Sequence, residues 1–160
     1  MGIIKLIRKS IGPAVIAAIC YSIIASAYLK AERFDETWIL YLGNFAFAIP
    51  IAIFIIFYNK KYPGLKVSQL LVHSLAAVIL GVVCSLIACF ILVALLQPVL
   101  LGAGGHATLK GSPPQFGGKY QGFAIILFMN AALGNSGTGA FIAVLLPFML
   151  ATKKEDQGKK

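Results

Sequence analysis

Acidic side chains are scarce in this chain: five Asp and Glu stand against 14 Lys and Arg in 160 residues, and charged residues of every kind make up 12%. The long apolar runs are poorer still, with no Asp, Glu, Lys or Arg deep in any of them. Ionisable groups in a lipid core are costly and mark proton relays and ion paths. A small multidrug exporter would hold such a carboxylate, and its lack weighs against that class. Four-helix membrane enzymes that bind glutathione rely on basic residues facing the site, and these are missing too.

Cysteine is also sparse. Cys20, Cys84 and Cys89 all fall inside apolar runs, and a spacing of five sends Cys84 and Cys89 in different directions on a helix. They read as small buried hydrophobes, with no disulfide framework and no metal site. His106 sits in a Gly-rich loop without a second His, Cys or carboxylate nearby, fewer ligands than a metal needs. The preceding Gly102-Ala103-Gly104-Gly105 lacks the strand–loop–helix setting of a phosphate or dinucleotide loop. The serines have no nucleophile-elbow context. No enzyme and no cofactor are expected.

Hydrophobicity is what the chain has in quantity: 59% of its residues are hydrophobic, with a mean hydropathy of +0.89. That is far from soluble usage. The stretch from Tyr120 to Thr152 contains no ionisable side chain after Tyr120. Since ~20 apolar residues span a bilayer, its solvent is lipid. A net charge of +9 could suggest nucleic acid, but the charges sit in short clusters between apolar runs. Fixing orientation against anionic headgroups explains them better.

The expected class is all-α: a single-domain, polytopic bundle of four transmembrane helices with spans near 11–29, 37–58, 67–96 and 120–152. The first resembles a signal peptide, with a basic start and Ala25-Ser26-Ala27 as a cleavage site. It is long for a signal, however, and Ala14, Ala18, Ser22 and Ser26 form a small-residue stripe, so a retained span is expected. In the second, Trp38, Tyr41 and Tyr58 suit interfacial anchors, and Pro50 predicts a kink. In the third, Ser74, Ala77, Gly81, Ser85 and Ala88 give a small-residue face. A Gly- and Pro-rich loop over 97–119 and a charged, frayed tail over 153–160 complete the layout. The fourth span is either a continuous close-packed helix or two half-helices broken at Gly134–Gly139; the continuous form costs less.

Ten Lys and Arg fall on the N-terminus, the 60–66 loop and the tail, against Lys30, Arg33, Lys110 and Lys119 on the other side. The positive-inside rule puts both termini in the cytoplasm. The link YNKKYPGLKVSQLLVHSLAAVILG, the Gln97-Pro98 exit and the run FMNAALGNSGTGAF before a Lys-rich end resemble a set of uncharacterised four-helix inner-membrane proteins of Bacteroidetes, catalogued as a domain of unknown function. The resemblance covers nearly the whole chain. It implies a bacterial cytoplasmic membrane and a four-helix bundle, and it carries no activity or catalytic residues.

Candidate polar positions within the spans are Asn44, His73, Asn130, Asn135, Ser136 and Thr138. Buried polar groups need partners. Interhelical hydrogen bonding is the simpler expectation for the asparagines, Ser136 and Thr138; a polar cavity for substrate or ions, with Asn135 at its centre, is the alternative. His73, near the cytoplasmic end, is expected to bond a neighbouring helix or reach the interface rather than to titrate in a mechanism. Two functions remain: a non-catalytic accessory or assembly subunit, partnered by lipid and by other membrane subunits or its own copies, or a small-solute transporter or channel.

Overall fold

The computed structural model describes residues 3–31, 34–98 and 120–157. Outside them fall most of the 97–119 loop, including His106, and the end of the tail. The described residues are helical throughout apart from short links: α1 (Ile3–Ala31), a 3-10 turn at Phe34–Thr37, α2 (Trp38–Lys61), α3 (Val67–Leu96), α4 (Tyr120–Met129), a π-turn at Asn130–Gly134, and α5 (Asn135–Gln157). Four stretches are long and apolar enough to cross a membrane: Leu6–Ala31, Asp35–Lys61, Val67–Leu96 and Gly122–Ala151.

Two bounds differ from expectation. α1 begins at Ile3, well before Ile11, so Lys9 and Ser10 stand on the bundle's end helix. α5 stays helical through Lys153 to Gln157, where a frayed tail was expected. The fourth stretch remains helical across all three of its glycines at 134–139; its irregularity is the π-turn that ends on Gly134. Asn135 N–H bonds to the Asn130 carbonyl there, the wider reach that defines such a turn.

α1 packs chiefly on α3 and α2, and α5 packs on the same two, so α1 and α5 take opposite corners with α2 and α3 between them. Small residues set how closely the helices approach. On α3, Ser74, Ala77, Gly81 and Ser85 are buried and Ala88 is half-buried. On α1, Ala14 and Ala18 are buried, while Ser22 and Ser26 emerge half-exposed and return their hydroxyls to the carbonyls of Ala18 and Ile23. A strict four-residue repeat drifts around a helix of 3.6 residues per turn, so such a stripe leaves the buried face within a few turns.

A close fit surrounds Phe47. A Cβ on Gly81 would come within 2.9 Å of the Phe47 ring, and one on Gly139 within 3.1 Å of the ring and 2.8 Å of Val78. The ring is thus held between α3 and α5 by two positions that admit only hydrogen. Of the cysteines, only Cys89 is buried; Cys20 and Cys84 are half-buried, against the expectation for all three. The outer face is apolar: Ile23, Phe45, Phe57, Ile79 and Leu95 are each at least 64% exposed.

Replacing Gly139 by alanine is expected to cost about 1–3 kcal/mol through overpacking against Phe47 and Val78. Gly12→Ala, where an added Cβ meets nothing within 4 Å, should cost nothing. Denaturant titration in mixed micelles reads both. Adding Phe47→Leu to Gly139→Ala should recover part of the loss, because the two side chains share one space; strict additivity would mean that the ring is not what the new methyl strikes.

Candidate functional site

The candidate residues divide between two levels of the bundle. Near mid-span, Tyr21 on α1 packs over Gly43 on α2, where an added Cβ would lie 3.0 Å from the ring. Its hydroxyl donates to Asn130 Oδ1 at 3.1 Å, tying α1 to the π-turn. Next to Gly43, the Asn44 amide lies flat on Gly134, close enough that a Cβ there would come within 2.8 Å of its Cγ and Oδ1. Thr138 donates its hydroxyl to the Gly134 carbonyl at 2.9 Å, with the Asn44 carbonyl farther off at 3.4 Å.

Helical register adds two more groups. α3 and α5 run antiparallel and meet Phe47 through Gly81 and Gly139. Ser85 lies one turn beyond Gly81, and Asn135 one turn before Gly139, so both step toward the end of the bundle where Tyr28 stacks on Phe123. Asn44 lies about a turn from Phe47 in the same direction. Asn135 is 0% exposed, and neither its Nδ2 nor its Oδ1 has a hydrogen-bond partner among the described residues; the same holds for Asn44 Oδ1 and Ser85 Oγ. Two acceptors, one amide donor and one hydroxyl thus lie buried at one depth. Such a set suits a neutral hydrogen-bonding group better than a bare cation, because the Asn135 N–H₂ would repel the latter.

Ser136 does not join them. It is exposed, as is Gly137, because positions 134, 135, 138 and 139 share one helix face and 136–137 the other. His73 stands apart, at the end of the bundle carrying the start of α1 and the 62–66 link. Its Nδ1–H donates to the Gln69 carbonyl of its own helix at 2.7 Å, not to a neighbouring helix, one of the two expectations for it. Ser10 donates to the His73 carbonyl at 3.3 Å.

Around His73 lies an arrangement that sequence reasoning missed. Tyr58, expected as an exposed interfacial anchor, is only 7% exposed. Its ring lies 4.7 Å from that of His73, and its hydroxyl accepts from Lys9 Nζ at 3.2 Å. The Lys9 ammonium also sits 4.7 Å from the Tyr62 ring centroid. These groups border a recess of about 410 Å³ whose other walls include Leu6, Leu65 and Val72. The one local signal was Tyr58 and Tyr62 four apart, on one face of a helix end. Lys9 is 49 positions away, and nothing local announces it. At the opposite end Trp38 and Tyr41 are more than half exposed, placed as interfacial rings would be.

Among the described residues no group of three or more His, Cys, Asp or Glu could hold a metal ion. Comparison with protein-family models, with curated proteins and with solved structures finds no match to this chain.

Asn135→Leu is expected to stabilise the bundle by about 1–3 kcal/mol, since it removes a buried amide that has no partner among the described residues. Tyr21→Phe should destabilise it by about 0.6 kcal/mol, the usual worth of one interhelical hydrogen bond in a membrane protein. Unfolding free energies in one lipid–detergent mixture test both. A loss of stability in both Asn135→Leu and the smaller Asn135→Ala would count against an amide without a partner.

Proposed function

We propose that this chain is a multi-pass component of the bacterial cytoplasmic membrane, without catalytic chemistry, that works by assembling with other membrane subunits or with its own copies. Membrane residence is supported by the four apolar helices and by an outer face of exposed Ile, Leu and Phe, which water would not tolerate over such an area. The distribution of Lys and Arg supports cytoplasmic termini. The resemblance to four-helix inner-membrane proteins points to the same membrane.

The observation that carries assembly is the outward groove between α1 and α3. Ala18, Ser22, Ser26, Cys84 and Ala88 line a concavity of about 540 Å³ together with Ile and Val side chains. Of these, Ser22, Ser26, Cys84 and Ala88 are only half-buried and open outward, although they are small enough to have closed the bundle, while the buried Ala18 forms the floor. In lipid, where no hydrophobic force gathers helices, close approach over small residues is what drives their association. A transmembrane helix of a second subunit would lay its side chains into this groove.

The transport reading is favoured by one observation, the unpartnered Asn135 amide at mid-span. Against it stands the Phe47 ring, filling the space between Gly81 and Gly139 one turn away. The packed core favours assembly.

Extraction in a lipid-preserving polymer, followed by mass measurement of the intact particle, should give a defined homo-oligomer or heteromer. Ser22→Leu with Ala88→Leu, which fills the groove from half-buried positions, should release the monomer; a lone monomer from the wild type would overturn the proposal. Asn135→Cys, in a chain whose three native cysteines are alanine, should stay unreactive toward a membrane-impermeant thiol reagent. Rapid labelling would turn the reading to transport.

A further inference from the structure

We propose that the recess bordered by Lys9, Tyr58 and Tyr62 is a binding site for one anionic phospholipid, which places its phosphate against the Lys9 ammonium and its glycerol backbone and first acyl carbons against Leu6, Leu65 and Val72. The cation is positioned rather than free. Lys9 Nζ donates one hydrogen bond to Tyr58, and the Tyr58 and Tyr62 ring centroids lie 5.4 and 4.7 Å away. Of the three N–H bonds of an ammonium, two are left for phosphate oxygens. Among the described residues Lys9 has no carboxylate partner, and neither 1–29 nor 59–66 contains an acidic residue.

The rest of the recess argues for a lipid over a free anion. Most of its surface is apolar, which offers nothing to inorganic phosphate but suits the glycerol–acyl junction. Its floor is built: His73 and Tyr58 are 3% and 7% exposed, and their rings pack together at 4.7 Å. The first turn of α3 lines the recess through Ser68 and Gln69, so the partial positive charge of that helix end adds to the field of Lys9. Lys61 lies 5.9 Å from the Tyr62 ring centroid and adds a second positive charge nearby. The site also lies where the chain passes from apolar helix to basic link, at the end of the apolar stretches, where the proposed membrane residence would put headgroup phosphates. The occupant is therefore a lipid whose headgroup carries net negative charge, such as phosphatidylglycerol. This inference needs the membrane residence proposed above but is independent of assembly.

The test is native mass spectrometry of the purified chain in micelles, titrated with phosphatidylglycerol, phosphatidylcholine or inorganic phosphate. Wild type should retain one phosphatidylglycerol in preference to phosphatidylcholine. Lys9→Gln should weaken that binding about fivefold, the worth of one basic residue at an anionic surface, and Lys9→Arg should keep most of it. Lys60→Gln removes an equal charge outside the recess and should change binding little. Val72→Trp fills the recess while leaving Lys9 in place, so the same loss there supports the site even where Lys9→Gln unfolds. Equal losses in Lys9→Gln and Lys60→Gln would mean diffuse surface attraction and overturn the proposal. So would phosphatidylcholine binding as well as phosphatidylglycerol, or inorganic phosphate binding alone and displacing the lipid.

Discussion

Everything at mid-span depends on the Phe47 ring between Gly81 and Gly139. A rigid ring in a slot of that width can occupy only one depth along each flanking helix, because a residue other than glycine would block it one position up or down. The contact therefore sets the axial register of α2 against α3 and α5 together. In lipid the apolar side chains contribute little to choosing a register, since tails and leucines are equally apolar. Shape at a few close-packed positions makes the choice.

Once that register is set, the polar groups follow. Asn44 is carried onto Gly134 and Thr138 comes under the same backbone; one turn past the glycines, Ser85 and Asn135 arrive at a common depth. The π-turn belongs to the same arrangement. By widening the helix just ahead of Gly134 it places Asn130 under the Tyr21 hydroxyl, so α1, which barely meets α5, is tied to the fourth span by the Tyr21–Asn130 hydrogen bond and the Tyr28–Phe123 stack. Irregular helix of this kind tends to mark positions with a role beyond packing. Here it coincides with the largest set of unpartnered polar atoms in the described core.

How much of this the sequence disclosed follows from the range of each interaction. Apolar runs and the small residues on α3 are local signals, and the four long apolar helices lie over those runs, with α1 and α5 extending beyond them into charged residues. The face rule on α5 is equally local: helical spacing alone sets 134, 135, 138 and 139 against 136 and 137, and so separates Ser136 from Asn135. The Phe47 slot was not legible, because it joins three helices through residues more than thirty positions apart, and neither glycine looks different from Gly137, where an added Cβ would meet nothing within 4 Å. The Lys9–Tyr58 contact was hidden for a further reason. Lys9 reads as a topogenic charge and Tyr58 as an interfacial ring, two generic roles that give no cause to look for a pair.

The two ends of the bundle are built on opposite plans, and that asymmetry bears on what each can do. The Tyr28–Phe123 end is closed by aromatic stacking at 4.3 Å, with its rings buried. The Lys9 end uses its aromatics to hold an ammonium beside an apolar recess. A stack that only had to close the bundle would gain nothing from a cation, since a third ring or a leucine would fill the same space without a charge to solvate. An ammonium held by two tyrosines at the boundary of an apolar helix makes physical sense where its counter-charge is supplied from outside the chain. On the proposed membrane residence, an anionic leaflet would supply it, and a subunit anchored there by its lipid would present the α1–α3 groove at a fixed height to whatever helix packs against it.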